Sequence, residues 1–266
     1  MAKVQGLISR ILRHVSRMIY AFFLSEQPKK LRLWIIGGYL NLLRTIKLTN
    51  TYSEFLAFLM NYRGKSYSQF KQDLFVLFIS KNWSQKTFME IGVGDGIEIS
   101  NTYLLESQNG WEGVLIEPNR EFVDSIRKSR SARHIEAALT TRDIGEVEFF
   151  TGKRGVFASL LQTGSVSEEA SYHVKSIPVS KVFGDYKRDD LSFLSLDIEG
   201  NEDEIIIELM KMDCKPFIII VEHNYDLVKS YRIRQSLKEN SYKLLLRSIS
   251  EVDYWFVRSD KINLQE

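Results

Sequence analysis

The chain has 266 residues, of which 44% are hydrophobic and 26% charged, proportions that indicate a folded globular protein. Its single cysteine, Cys214, excludes an intramolecular disulfide and a cysteine-based zinc site, and is typical of proteins from a reducing compartment. The net charge is only +2, but residues 1–50 carry +8, which leaves −6 for the rest and argues against a protein that coats nucleic acid.

The first element predicted along the chain is a basic amphipathic helix over residues 1–24. Apolar residues recur there at three- and four-residue steps from Val4 to Phe23, and basic residues lie between them. Such a helix either makes a peripheral contact with the inner face of a membrane or packs on the rest of the chain, and the sequence favours neither. We expect no signal peptide and no membrane span, and assign residues 1–66 to an N-terminal helical extension of a cytoplasmic protein.

From residue 67 onward, strand-like apolar runs alternate with helix-like stretches, which predicts a doubly wound, mostly parallel α/β domain over 67–262. The last two strands are joined by a linker too short for a crossover helix, so they should form an antiparallel hairpin at one edge. Residues 140–180 indicate an insertion that either covers a substrate site or is a structural flap. Seven strands are expected, at 87–93, 113–118, 133–139, 193–198, 216–223, 242–248 and 253–258.

The first strand runs into a glycine-rich turn, Glu-Ile-Gly-Val-Gly-Asp-Gly, at residues 90–96. Glycines at such a turn let the backbone approach a ligand closely and direct free amides at it. The dinucleotide fingerprint needs a glycine where Ile97 stands, and no phosphate-binding Gly-Lys-Ser/Thr occurs. The second strand ends in Glu117, where a carboxylate can accept hydrogen bonds from ribose hydroxyls. These features favour a nucleotide-type cofactor without phosphates, such as S-adenosylmethionine.

Six runs in this part of the chain are distinctive in combination. They are SQFKQD at 68–73, EIGVGDG at 90–96, SNT at 100–102, GWEG at 110–113, LIEPN at 115–119 and LSLDIEG at 194–200. Together they resemble the FkbM family of class I S-adenosylmethionine-dependent methyltransferases over residues 67–258. The chain departs from the family at Val93-Gly94, where alanine-asparagine is common, and residues 1–60 resemble nothing familiar.

The resemblance implies a methyltransferase that acts on a hydroxyl of a sugar, glycan or related metabolite, with no nucleic-acid partner. Relatives with the same runs include proteins without obvious catalysis, so the alternative is a non-catalytic binding or membrane-associated interaction module. For Gln72 and Asp73 the cofactor role competes with simple packing at a helix start. The expected cofactor-binding residues are Gln72, Asp73, Glu90, Gly92, Gly94, Asp95, Gly96, Asn101, Glu117, Pro118, Ala138 and Asp197.

Methyl transfer from a sulfonium requires mainly positioning and removal of the acceptor's proton. The carboxyl ends of the strands, where the site of an open α/β sheet lies, carry the candidate catalytic residues Asp197, Glu199, Glu222 and His223. Asp197 is the preferred base, because a carboxylate that ends an apolar strand is costly unless it is used or paired. The alternative role of Asp197 is to cap the next helix. The alternative for His223 is that it is an ordinary loop residue without a catalytic role. We expect no metal; if Mg²⁺ is bound, its ligands are Asp197, Glu222 and Asn224.

Overall fold

The computed structural model describes residues 51–62, 65–151, 158–159, 170–247 and 249–262, besides five isolated positions before residue 40. Of the predicted helix over 1–24, only Val15 and Met18 are among these residues, so its membrane contact stays a prediction. Within the described part of the chain, no helix has the length and hydropathy needed to cross a bilayer. The chain divides into two compact units, Met1–Ser66 with Leu246–Glu251 and Asn263–Glu266, and Tyr67–Leu245 with Val252–Ile262.

In the first unit, helix α1 spans Thr51–Asn61. Phe55, Leu56 and Leu59 are buried, and their spacing places them on one face of the helix. The ring of Phe58 stacks on that of Tyr62, with centroids 4.5 Å apart. The described part of this unit is therefore an ordinary amphipathic helix with an aromatic pair at its end.

The second unit alternates strands and helices in the order that the apolar runs predict. Its helices are α2 Gln72–Ser80, α3 Tyr103–Asn109, α4 Val123–Ser129, α5 Val179–Phe183, α6 Glu202–Leu209 and α7 Leu227–Glu239. Its strands are β1 Thr87–Ile91, β2 Glu112–Ile116, β3 Arg133–Ile135, β4 Ala138–Thr140, β5 Glu146–Thr151, β6 Ala158–Ser159, β7 Ala170–Pro178, β8 Phe193–Leu196, β9 Ile218–Glu222, β10 Tyr242–Leu245 and β11 Asp253–Arg258.

Seven of the described strands form the main sheet, in the order β10-β11-β9-β8-β1-β2-β3. The pairs are parallel except those of β11, which runs antiparallel to both β9 and β10. The predicted doubly wound sheet with an antiparallel edge hairpin is confirmed. The direction of winding reverses at β1, which pairs with β8 on one side and β2 on the other. In open α/β sheets such a reversal opens a crevice at the carboxyl ends of the strands.

The predicted strand over 133–139 is divided in two. Its first half, β3, is the edge strand of the main sheet, whereas its second half, β4, pairs with β7 in another sheet. The break follows from a tight turn in which the amide of Ala137 donates to the carbonyl of Ile135 at 3.1 Å. Because apolar residues lie on both sides of the turn, the hydropathy pattern alone does not predict it.

The insertion predicted over 140–180 contains a second sheet of order β4-β7-β5-β6, although residues 152–157 and 160–169 lie outside the described part. Phe149 and Tyr172 pack edge to face on it, with ring centroids 5.7 Å apart. The Tyr172 hydroxyl donates to the side-chain oxygen of Asn119 at 3.1 Å, and Arg120 donates to the carbonyl of His173 at 3.0 Å. These bonds tie β7 to the loop that follows β2.

The core of the second unit is built on the central strands. Every residue of β8 and of β9 is buried, as expected for parallel strands covered on both faces. Ile205, Ile206 and Leu209 of α6 and Ile233 and Leu237 of α7 pack against them. The sheet is therefore fixed by apolar packing, and polar groups are left to the ends of its strands.

Arg130, directly after α4, is a buried cation that joins three segments. Its Nε donates to Glu106 of α3 at 2.5 Å, and its Nη2 donates to Thr102 Oγ1 at 2.7 Å. Its Nη1 donates to the carbonyl of Gly96 at 3.0 Å and lies 3.6 Å from Glu90. A buried charge is tolerated only when it is paired and hydrogen-bonded, and each nitrogen of this guanidinium has such a partner.

Glu90, the fourth residue of β1, completes this network from the sheet side. Its carboxylate accepts from Ser100 Oγ at 2.9 Å, from the Asn101 amide at 2.7 Å and from Thr102 Oγ1 at 2.5 Å. The turn at residues 100–102 is therefore held to the sheet by a carboxylate and to α4 by the guanidinium of Arg130. The predicted cofactor residue Glu90 thus has a supporting position as well as a place in the cavity wall.

Replacing Arg130 with methionine tests how much this network contributes to the stability of the protein. The change leaves the buried carboxylates of Glu90 and Glu106 without their cation, and we expect a loss of about 3–5 kcal/mol in the free energy of unfolding. Arg127→Met is the matched control, because Arg127 is 65% exposed and 4.0 Å from Glu136, and its change should stay within about 0.5 kcal/mol. Urea denaturation of the variants gives both values, and equal losses would contradict the assignment.

Candidate functional site

A cavity of about 710 Å³ lies in the second unit at the carboxyl ends of β1, β2, β8 and β9. This volume is typical of sites for small molecules and cofactors. Among the described residues that line it there is no lysine, arginine or histidine. The lining carboxylates are those of Glu90, Asp95, Glu98, Glu117, Asp197, Glu199 and Glu222. The described lining is therefore rich in acidic groups, which favours neutral or cationic ligands.

The glycine turn forms the wall above β1. Gly92 has a φ of +79°, and a Cβ built on it would lie 1.5 Å from the carbonyl oxygen of Asp197. The Gly92 amide donates to Ile116 and the Asp197 amide to Ile91, each at 3.0 Å, so the ends of β1, β2 and β8 meet at this glycine. Gly94 (φ +60°) faces open space, where a ligand can approach the backbone.

Glu117 closes the cavity beyond β2. Its Oε2 accepts from the amides of Val93 at 2.8 Å and Gly94 at 3.0 Å, and its Oε1 accepts from the amide of Asn119 at 2.8 Å. Burial raises the pKa of Glu117, and these amide donors oppose the shift. An ionised carboxylate has about four acceptor positions, so Oε1 retains one for a ligand hydroxyl. That Glu117 accepts from the ribose hydroxyls of a cofactor stays a prediction.

Asn101 reaches the cavity from the turn that Glu90 and Arg130 hold. Its Nδ2 donates to Ser195 Oγ of β8 at 2.9 Å. Within the described residues, its Oδ1 is buried without a hydrogen-bond partner. An unpaired buried acceptor is unfavourable, and a ligand donor in the cavity would satisfy it.

Acidic side chains gather at the other end of the cavity, where β8 and β9 end side by side. Asn224 Nδ2 donates to Glu222 Oε2 at 2.9 Å and to Glu199 Oε2 at 3.2 Å. The carboxylate oxygens of Asp197, Glu199 and Glu222 lie within 4.8 Å of one another. Burial raises the pKa of Asp197, and Glu199 and Asp253 raise it further. Burial also raises the pKa of Glu222, and Asp197 adds to that shift.

Glu202 holds the loop between β8 and α6 in place. Glu202 Oε1 accepts from the amides of Ile198 at 3.1 Å and Gly200 at 2.9 Å, and Glu202 Oε2 pairs with Lys229 at 2.5 Å. Asp197 Oδ1, in contrast, is buried and has no hydrogen-bond partner within the described residues. The N-cap position of α6 is Asn201, whose side chain makes no capping hydrogen bond, and Glu202 holds the loop before the helix rather than its first turn.

Four of the predicted site residues lie outside the cavity lining: Gln72, Asp73, Gly96 and His223. Gln72 Nε2 donates to Asp253 at 2.6 Å, and Asp73 accepts from the amide of Tyr67 at 2.8 Å. These two polar side chains therefore hold the loop before α2 in place. The other predicted cofactor residues, Glu90, Gly92, Gly94, Asp95, Asn101, Glu117, Pro118, Ala138 and Asp197, do line the cavity.

Gly96 and His223 also have structural positions. A Cβ on Gly96 would lie 3.3 Å from atoms of Arg130 and Ile126, so this glycine lets the turn pack on α4. His223 Nδ1 accepts from the amide of Tyr225 at 3.0 Å, and its ring lies 4.1 Å from that of Tyr254. The buried imidazole thus belongs to an aromatic group beside the cavity.

Some residues of the site escaped the sequence analysis. Gln69 of the SQFKQD run lines the cavity, whereas Gln72 of the same run does not. Phe149 enters the cavity wall from β5, in the insertion, where no motif marks it. Arg130 supports the wall, and nothing in its local sequence distinguishes it from other arginines that follow a helix.

Comparisons with known proteins fit this arrangement. A family model described as the methyltransferase FkbM domain matches residues 90–244, more than half of the chain. Precorrin-6y C5,15-methyltransferase from Geobacter metallireducens GS-15 has 14% identity and a TM-score of 0.37, over 65% of this chain and 71% of that chain. The S-adenosylhomocysteine-bound methyltransferase PaMTH1 from Podospora anserina has 12% identity and a TM-score of 0.38, over 88% of this chain and 98% of that chain. No curated protein matches the sequence.

Gly92→Ala tests the contact between the strand ends. The added methyl overlaps the carbonyl of Asp197, so we expect it to destabilise the protein by about 1–3 kcal/mol more than Gly110→Ala. Gly110 is the matched control, because it also has a positive φ, +68°, but a Cβ there meets nothing within 4 Å. Urea denaturation measures the difference, and equal losses would mean that only the backbone conformation matters.

Proposed function

This chain belongs to the FkbM methyltransferase family, and from that premise we propose that it transfers a methyl group from S-adenosylmethionine to a hydroxyl of a sugar, glycan or related metabolite. The observation that carries the proposal is one cavity with two chemically different ends. The glycine turn and Glu117 form one end, and the carboxylates of Asp197, Glu199 and Glu222 form the other.

The first end fits S-adenosylmethionine. The turn at Gly92 and Gly94 offers backbone without side chains, and Glu117 Oε1 retains one acceptor position for a ribose hydroxyl. The unpaired Oδ1 of Asn101 is an acceptor for the donors of the amino-acid part. Apolar side chains of Ala138, Leu139 and Phe149 line the same cavity and suit a flat aromatic base. When bound, S-adenosylmethionine supplies a methyl group already activated by its sulfonium.

The second end fits the acceptor. Asp197 follows β8 at the switch of strand order, and its unpaired Oδ1 is the group that we assign to the proton of the acceptor hydroxyl. Glu199 and Glu222 surround the same point, and Asn224 fixes their orientation through its two hydrogen bonds. With no basic residue among the described residues of the lining, a neutral hydroxyl is favoured over an anionic acceptor.

The cofactor part of the proposal is tested at Glu117. Glu117→Ala removes a charged acceptor, so the affinity for S-adenosylhomocysteine in calorimetry should fall by about 1–3 kcal/mol. Glu98→Gln is the control, because it removes another carboxylate from the same cavity without changing the contacts of Glu117. Circular dichroism checks that both variants fold. Unchanged affinity in Glu117→Ala, or tight NAD binding by the wild type, would contradict the assignment.

The catalytic part is tested at Asp197 with tritiated S-adenosylmethionine and fractionated glycans and hydroxylated metabolites as acceptors. Asp197→Asn should lower turnover by about 100-fold while the affinity for S-adenosylhomocysteine changes much less. Asp185→Asn, a change at an exposed aspartate outside the cavity, is the control. Cofactor binding without transfer to any fraction, or equal turnover in both variants, would favour the non-catalytic binding module instead.

A further inference from the structure

We propose that Tyr172, in β7 of the second sheet, is a positioning residue that makes the cavity selective for a ribose hydroxyl by fixing the orientation of Glu117. The inference rests on the proposed function, because it concerns how the ribose of the cofactor is recognised. Tyr172 is not among the described residues that line the cavity. Its effect on a ligand therefore has to pass through Asn119 and Glu117, which connect its hydroxyl to the cavity wall.

The two oxygens of Glu117 take their donors from different parts of the chain. Its Oε2 accepts from the amides of Val93 at 2.8 Å and Gly94 at 3.0 Å, both in the glycine turn. Its Oε1 accepts from the amide of Asn119 at 2.8 Å, in the loop after β2. Because a carboxylate is planar, donors on both oxygens fix the direction of the acceptor position that Oε1 keeps for a ligand. If the Asn119 amide moved, that direction would no longer be fixed.

The hydroxyl of Tyr172 holds Asn119 and the residue that follows it. It donates to Asn119 Oδ1 at 3.1 Å and accepts from the amide of Arg120 at 3.2 Å. The same Oδ1 accepts from the amide of Glu121 at 3.0 Å, in the short 3₁₀ turn Arg120–Phe122. Asn119 is fully buried, so these bonds lie in a low dielectric that strengthens them. One hydroxyl thus fixes both a side chain and a peptide unit of the loop that orients Glu117.

The hydroxyl of Tyr172 can be tested separately from its ring. The ring packs edge to face on Phe149, with centroids 5.7 Å apart, and its centroid lies 5.1 Å from the guanidinium carbon of Arg120. A phenylalanine at this position keeps both ring contacts. Burial raises the pKa of Tyr172, so its hydroxyl is protonated and donates at neutral pH. Tyr172→Phe therefore removes the two hydrogen bonds and leaves the packing of the second sheet in place.

Selectivity between nucleosides separates positioning from simple stabilisation of the fold. Adenosine differs from 2′-deoxyadenosine and 3′-deoxyadenosine by one ribose hydroxyl, the group that a fixed Glu117 accepts from. A carboxylate that is free to turn has to be ordered when the ligand binds, and this cost reduces the advantage of the hydroxyl. A residue that merely stabilises the fold would change the affinities for all three nucleosides together and leave their ratio unchanged.

The test measures how the three nucleosides displace tritiated S-adenosylmethionine from the full chain. The wild type should bind adenosine about tenfold or more tightly than at least one deoxy analogue. Tyr172→Phe should reduce this ratio to about threefold or less, and Glu117→Gln should abolish it. Ser171→Ala is the matched control, because Ser171 is an exposed neighbour on the same strand whose hydroxyl donates to Glu148 at 2.7 Å. It should keep the ratio of the wild type, and melting temperatures confirm that each variant folds.

The double variant of Tyr172→Phe and Glu117→Gln shows whether the effect passes through Glu117. It should have the ratio of Glu117→Gln alone, because no carboxylate is left to position. An unchanged ratio in Tyr172→Phe, or an equal fall in Ser171→Ala, overturns the role of Tyr172 and leaves the cofactor assignment intact. If the wild type binds S-adenosylmethionine without selecting for a hydroxyl, the same role is overturned. A wild type that does not bind tritiated S-adenosylmethionine overturns the proposed cofactor as well, so the two failures give different results.

Discussion

A single guanidinium, buried between a glycine turn and a helix, holds the end of the cavity that the glycine turn and Glu117 form. Arg130 donates to the carbonyl of Gly96, to the hydroxyl of Thr102 and to Glu106, and it lies beside Glu90. Because the five N–H groups of arginine have a rigid planar geometry, these partners cannot move independently without leaving a buried charge unpaired. The backbone around the turn is therefore preorganised before any ligand arrives, which reduces the ordering that binding requires.

The other end of the cavity, where β8 and β9 end, is organised differently. At Asp197, Glu199 and Glu222 the fold concentrates negative charge without a cation among the described lining residues. Glu199 and Asn224 also adopt positive φ values, +53° and +44°, which are unfavourable for residues with side chains and recur at functional sites. Each end of the cavity also keeps a buried acceptor without a hydrogen-bond partner among the described residues, Asn101 Oδ1 at the first and Asp197 Oδ1 at the second.

Apolar periodicity was sufficient to predict the main sheet, because buried parallel strands such as β8 and β9 are continuous apolar runs and the turn between β10 and β11 is short. It was insufficient at Glu136, where a backbone turn divides one run between two sheets. At the site, the glycines and strand-end acids were visible because their roles depend on local sequence. The position of Gln72 outside the cavity lining could not be predicted, because its partner, Asp253, is 181 positions away and such contacts leave no local signal.

The bonds between the second sheet and the loop after β2 have a consequence for protein engineering. Phe149 brings part of the cavity wall from this sheet, and the sheet is attached to the loop after β2 through Tyr172 and Asn119. A chimera that receives residues 138–178 from a relative would exchange the part of the wall that Phe149 forms. The exchanged segment would keep its attachment to the loop after β2 only if it also carries a hydrogen-bonding side chain at position 172.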